Sequence, residues 1–484
     1  MKTNTLEFDA QALREKILDL AMRGKLVPQD PDDEPASVLL EKIKAEKEQL
    51  IKEKKIKRTK KLDPITDDEK PFDIPDSWEW VRLGKIIKPE IHKKPEKDYI
   101  YLDIASVDNT TNKVVNPKNI DISKDKIASR ARQVLENNDI LFSVVRPYLK
   151  NIAMVPNTKE YQVGSTGFYV IKPFSQINRK FVFYLVLSNY VISGMTRKMK
   201  GDNSPSIRKG DLEQYLVPLP PLEEQSRIAA KIAQLFALLR KVESSTQQYA
   251  KLQTLLKSKV LDLAMRGKLV KQDPHDEPAS VLLEKIKVEK KQLIKEKKIK
   301  KSKPLPPISD EEKPFEIPDS WEWVRLGEVI ELISGRDIPK KFHLATQEKD
   351  SVPYITGASN INDNGKIHIS EWVNKPSVIV NKGVILLSVK GTIGKLAELD
   401  IKRAHIARQI MGINNIFNLN KNYEKLFIES YIQELKNKAK SMIPGISRED
   451  LLLISFPVPP LEEQGRIVAK VGRLYDLFYK DAEN

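Results

Sequence analysis

The residues able to do chemistry are scattered along this chain. Its five histidines (His92, His275, His343, His368 and His405) include no pair four residues apart, so a metal centre is not expected. The run KGTIGKL at 390–396 has the wrong glycine spacing for a phosphate loop, and no Ser or Thr follows Lys395. GSTGF at 164–168 sits among strand-like runs and not ahead of a helix, so it reads as a turn. LPPL at 219–222 and VPPL at 458–461 fail at both outer positions of the Asp/Asn/Ser-Pro-Pro-aromatic pattern of amino-methylating enzymes. They read instead as entries into helices. Pro31–Asp32 becomes Pro274–His275 in a near-identical repeat, which argues against a cleaving carboxylate. No catalytic group, and no cofactor held by this chain, is expected.

What remains is a surplus of cations. Lys and Arg number 83 against 67 acidic residues, a net charge of +16 that suits a polyanion such as nucleic acid. The candidate contacts are Arg146, Lys150, Arg197, Lys198, Lys200 and Arg208, then Arg336, Lys390, Lys395, Arg403, Arg408, Gln409 and Arg448. Arg and Gln can grip base edges bidentately, whereas Lys more often meets phosphate. For each of them the alternative is an ordinary solvated side chain, and for Gln409 a buried amide between strands. Two basic turns, SVVRPYLKN at 143–151 and SVKGTIGKL at 388–396, each follow a strand-like run.

Repeats show which elements must position these groups. Residues 17–87 align without a gap to 260–330 with 57 of 71 positions identical, and 204–243 pair with 443–482. Between the repeats, 88–203 and 331–442 share little sequence. Both read as strand runs followed by a helix, near 180–199 and 422–440. The Trp78/Trp80 and Trp321/Trp323 pairs read as short strands with one ring of each pair facing a core. Charged helices are expected near 34–60 and 277–303, their Lys-rich ends either solvated or resting on phosphate.

From Leu222 to Met265 no Pro or Gly interrupts a 4-3 apolar spacing, so one helix of about 66 Å is expected. Its stripe is Ile228, Ile232, Leu235, Leu239, Val242, Leu256, Val260 and Leu263. The two chain ends supply a partner, with Leu6, Ala10, Leu13, Ile17 and Leu20 from one and Ile467, Val471, Leu474 and Phe478 from the other. The expected divisions are a frame at 1–61, an insert at 62–220, a central helical frame at 221–304, a second insert at 305–459 and a frame helix at 460–484. The expected class is α/β (α+β), two such domains separated by a pair of long antiparallel helices with a pseudo-twofold repeat. An unchanged frame around unequal inserts suits two different targets.

PLPPLEEQSRI and PVPPLEEQGRI, the repeated LDLAMRGKLV and IPDSWEWVRLG, and the frame–insert–frame–insert order resemble the specificity subunit of type I restriction–modification systems. The resemblance covers essentially the whole chain. It implies two target recognition domains, each reading half of a bipartite, asymmetric site in double-stranded DNA, with the helix pair setting the gap. It also implies partners: two methyltransferase subunits that bind S-adenosylmethionine, and two restriction subunits that use ATP and Mg. The charged helices are longer and richer in Lys than the family requires. The rival readings are a coiled-coil DNA-binding scaffold without base readout and an enzyme acting alone. The absence of Cys suits a reducing cytoplasm; with no apolar segment in MKTNTLEFDA and no run of 18 apolar residues, neither a leader nor a membrane span is expected.

Overall fold

The computed structural model describes residues 9–59, 61–299, 301, 303–438 and 445–480. Leu6 of the expected stripe lies outside them. The chain divides into two compact units between Gln247 and Gln248, inside the central helix Leu222–Met265.

In the first unit the N-terminal helix Ala10–Met22 starts at Asp9, whose carboxylate accepts from the Ala12 amide at 2.8 Å. It stops at Gly24, where φ is +67° and a β-carbon would overlap the Pro75 ring, so only glycine fits. The Lys25 amide closes the turn onto the Leu20 carbonyl at 2.8 Å. Leu18, Ala21 and Met22 join Ile228, Ala229 and Ile232 in one buried cluster, while Arg14 reaches Glu243 at 2.5 Å. The helix therefore runs antiparallel to the first half of the central helix. In the second unit Ile467 and Val471 of the C-terminal helix Leu461–Lys480 share a cluster with Val260 and Ala264. Gln253 donates to the Phe478 carbonyl at 2.9 Å, giving the same antiparallel sense.

The expected stripe needs correction in its middle. Ile228, Ile232, Val260, Ile467 and Val471 are buried, and Ile17, Leu20, Leu235, Leu239, Leu263, Leu474 and Phe478 are half-buried. Leu13, Val242 and Leu256 are exposed, with Leu256 at 47%. Partner helices of 13 and 20 residues lie along a helix of 44, Arg14 reaching as far as Glu243 on one side and Phe478 meeting Gln253 on the other. On the N-terminal helix Ala10 is buried as expected, but the rest of the buried face is turned from the expected one, toward Leu18, Ala21 and Met22.

The charged helices are shorter than expected, Ala36–Lys52 and Ala279–Lys295. Each ends where a lysine, Lys54 or Lys297, takes a left-handed conformation and the next amide returns to the carbonyl of Leu50 or Leu293 at 2.9 Å. Leu39, Ile43, Leu282 and Ile286 bury one face, and Ile56 and Ile299, just past the helix ends, pack against the same clusters.

Each insert is entered and left through a two-stranded antiparallel ladder, Glu79–Arg82 on Leu216–Leu219 and Glu322–Arg325 on Ser455–Val458. Trp78 lies just before the first ladder and is buried together with Trp80, so both rings of that pair are in the core. Trp321 is buried and Trp323 half-buried.

Both inserts carry the same two sheets. One pairs 168–171 with 140–143 and 140–142 with 152–154; its counterpart pairs 410–413 with 385–388 and 385–387 with 396–398. The other has a parallel pair at its centre, 100–102 beside 162–164 or 354–355 beside 405–406. The expected single helix at 180–199 is two, Arg179–Leu187 and Asn189–Lys198, because Ser188 is extended between them. The second insert keeps one helix, Lys421–Lys438.

Candidate nucleic-acid interface

The repeated Glu-Glu-Gln at the head of each frame helix fixes where an insert sits. The buried Glu224 carboxylate accepts from Gln29 Nε2 and Trp78 Nε1, both at 2.7 Å. Gln225 Oε1 takes the Asn178 amide at 2.9 Å, which anchors the first insert's helix by its cap. Glu463 repeats this with Gln272 at 2.6 Å and Trp321 at 2.9 Å, and Gln464 with the Asn420 amide at 2.9 Å. Arg227 clamps Asp33 as Arg466 clamps Asp276. Burial raises the Glu224 and Glu463 carboxyls above the ordinary range, against the pull of the Trp and Gln donors. Trp78→Phe removes one donor from a buried carboxylate and is expected to cost about 1–2 kcal/mol. Thermal melts beside Trp80→Phe, whose ring makes no such bond, check it.

Carried on that clamp, the two basic turns occupy equivalent places. The Val144 amide bonds the Gly167 carbonyl at 3.0 Å, as Val389 bonds Gln409 at 2.9 Å. Beyond them, Val145 bridges to Ser206 and Lys390 to Gly445. The first turn holds two non-glycine residues in the left-handed region, Arg146 at φ +48° and Lys150 at φ +52°; the second uses Gly391 and Gly394. Such positions cost about 1–3 kcal/mol each and persist only where the surroundings enforce them. Here Asn109 and Asn112 side-chain amides hold the Leu149 and Lys150 carbonyls at 2.8 and 3.0 Å.

In the first insert Arg146 is exposed and donates to the Asn203 carbonyl at 2.9 Å. Lys150 is engaged with Glu15 at 3.3 Å and Asn189 at 3.2 Å. Arg197 lines the same cleft as Lys150 and Tyr148. Lys198 and Lys200 follow on the adjoining segment, which bridges back to Ser206, and Arg208 lies two residues beyond; all three are exposed. Tyr148 is an exposed ring at the turn's tip that charge-based reading missed. An aromatic beside a proline, outside any strand, was its signal.

In the second insert Arg408 pairs with Asp337 at 2.8 Å, Lys395 with Asp363, and Arg448 with the Leu332 carbonyl and Ser334. Arg336, Lys390, Arg403 and Gln409 are exposed and make no side-chain hydrogen bond or ion pair among the described residues. Gln409 is thus not the buried amide that was the alternative. Arg403 lies at the far end of its strand, opposite Asn381, apart from the rest. Among the described residues no three His, Asp or Glu side chains could hold a metal, and no helix is long and apolar enough to cross a membrane.

Residues 75–253 and 318–480 match a family model described as type I restriction modification DNA specificity domain. The chain is 34% identical to the EcoAI type I specificity subunit of Escherichia coli, over 96% of this chain and 89% of that one. It is 36% identical to the EcoEI specificity subunit of Escherichia coli, over 67% and 62%. Among solved structures it resembles the HsdS subunit from Thermoanaerobacter tengcongensis, at TM-score 0.55 and 28% identity over 86% of this chain and 93% of that one. A chain from a study of complex assembly and conformational transition in the type I system aligns at TM-score 0.64 and 29% identity, over 85% and 94%.

Proposed function

Since the chain belongs to the type I restriction–modification DNA specificity family, we propose that each insert reads one half of a bipartite duplex site while the frame spaces the halves. At the coarser level the chain is the sequence-specific DNA-recognition subunit of a type I complex, a specificity and not a catalytic subunit. The observation that carries the finer reading is the contrast between a frame that is almost unchanged and two inserts of one topology. They present the same turn with different side chains. Arg146, Arg197, Lys198, Lys200 and Arg208 would face one half-site, and Arg336, Lys390 and Gln409 the other, with cations on phosphate and Arg or Gln on base edges. Lys150 and Lys395 tie their turns to Glu15 and Asp363, while Arg408 and Arg448 are taken up by Asp337 and by the Leu332 carbonyl and Ser334.

Two methyltransferase subunits carrying S-adenosylmethionine, and two restriction subunits using ATP and Mg, complete the proposed assembly. The apolar residues left uncovered on the central helix, among them Val242, Tyr249, Leu252 and Leu255, support docking of the methyltransferase subunits there. Exchanging the insert 331–442 for that of another specificity subunit is expected to change one half of the methylated motif and leave the other intact. Methylome sequencing of cells carrying the chimaera reads this directly. A motif changed in both halves would exclude independent recognition, and an unchanged one would favour a scaffold without base readout.

A further inference from the structure

The two inserts exchange a large and a small residue at one spot beside the basic turn. Gly167 and Gln409 are equivalent, each lying three residues beyond the end of the parallel register (Gly164, Ile406) and each bonded through its carbonyl to the turn's valine. Ile104 and Gly357 are equivalent on the neighbouring strand, two residues beyond Leu102 and Ile355. A β-carbon on Gly167 would lie 2.9 Å from Ile104 Cδ1. A β-carbon on Gly357 would overlap Gln409 Oε1 and lie 3.3 Å from its Cδ. So in the first insert the side chain at this spot is an isoleucine lying over a glycine. In the second it is a carboxamide lying over a glycine from the opposite strand.

Gly357 is in ordinary extended conformation, so its missing side chain answers to space and not to backbone strain. Its placement is fixed by Asn360, whose side-chain oxygen accepts from the Thr356 amide at 2.9 Å. Gly391, at φ +70° in the turn, leaves the other flank open: a β-carbon there would sit 3.8 Å from Gln409 Oε1. The Gln409 side chain is exposed and makes no hydrogen bond among the described residues, which leaves its acceptor and both donors available. Its neighbours in sequence and turn, Arg408 and Lys390, are respectively locked to Asp337 and free in solvent.

We infer that Gln409, seated over Gly357 beside Gly391, is a base-reading residue of the second insert and takes an adenine through its N6 and N7 edge in the major groove. The inference rests on the proposal that the inserts read DNA. An amide held on a glycine floor loses little conformational freedom on binding, and a bidentate partner satisfies both of its ends. The equivalent spot in the first insert offers only a hydrocarbon, so it cannot make the same distinction.

The experiment uses the full chain assembled with its methyltransferase subunits. The probe is a duplex carrying the motif read from the methylome, with each adenine of the second half-site replaced in turn by 7-deazaadenine, which lacks N7. Wild type is expected to lose affinity by tenfold or more at one position, and Gln409→Ala to show no further loss at that same position. Gln409→Ala, an exposed truncation, should melt as wild type does. Absence of any position where the penalty vanishes in the variant, or an equal loss on every sequence, overturns the inference. Exchange of the whole insert separates the two levels. If the exchange changes one half-site while Gln409→Ala does not alter the adenine penalty, only the role of Gln409 falls. If the exchange changes nothing, recognition by the insert falls with it.

Discussion

Glu424→Gln stabilises the second unit by about 3 kcal/mol at pH 7 and by almost nothing near pH 4. Glu424 is fully buried in the helix that follows the second insert's strands, and neither carboxylate oxygen has a hydrogen-bond partner among the described residues. Burial pushes its carboxyl up to about 8 from an ordinary 4.5, with Asn415 and Lys421 opposing only in part. Lys421 is itself engaged with Glu398 at 2.6 Å. A raised carboxyl means that the folded state holds a proton the unfolded chain has released. Stability is therefore full below about pH 4.5, falls as pH rises, and levels off above about 8. At pH 7 the cost is roughly two and a half units at about 1.4 kcal/mol each.

The first insert supplies the control. Asn178 and Asn420 cap equivalent helices, so Val182 occupies the place of Glu424, and it is fully buried. Glu424→Val should remove the same pH dependence. Melting curves of both variants and wild type at pH 4, 7 and 9 decide the matter. A shift of equal size at every pH, or none, would show that the carboxyl does not titrate out of range.

The second large effect concerns the length of the central helix. Four residues inserted near Thr246 add about 6 Å of helix, and one base-pair step is about 3.4 Å. If this helix spaces the half-sites, the methylated motif gains one or two base pairs in its gap. Four residues turn the far half of the helix by only about 40°, whereas two turn it by about 200°. Both insertions fall between Glu243, held by Arg14, and Gln253, which meets Phe478. Ile228 and Ile232 therefore keep their packing in one unit, and Val260 and Ala264 in the other. The two-residue variant is thus expected to fold and to lose methylation of any bipartite site, through loss of phase and not of stability. Methylome sequencing beside thermal melts separates these outcomes. A folded four-residue variant with the original gap would show that something else sets the distance.

Local pattern was enough for much of this architecture. An uninterrupted 4-3 spacing gave the central helix its bounds, Leu222–Met265, because helix continuity depends on neighbours three and four residues away. The alternation of strand runs, and the duplicated frame, likewise told that one domain type is used twice. Local pattern failed where solvation depends on what arrives from elsewhere. The apolar period of Leu13, Val242 and Leu256 is as regular as that of Ile228, yet those three are exposed where Ile228 is buried, because burial depends on what packs over each position from elsewhere in the fold. Lys150 and Gln409 looked alike as candidate contacts. One is taken up by Glu15, 135 residues away, and the other is left open by two glycines.

Repetition by itself therefore established the organisation of the chain, a frame used twice around two unequal inserts. Only the tertiary structure decided why the Glu-Glu-Gln heads recur. Glu224 and Glu463 are buried acceptors for Trp indoles 146 and 142 residues distant. It alone also placed an unpaired carboxyl at Glu424 where the sister insert has Val182, and set Gln409 against Gly357. The physical reason is the same in each case. Burial, the pKa of a carboxyl and the room for a side chain are set by atoms across the fold, and sequence spacing reports only the neighbours along one element.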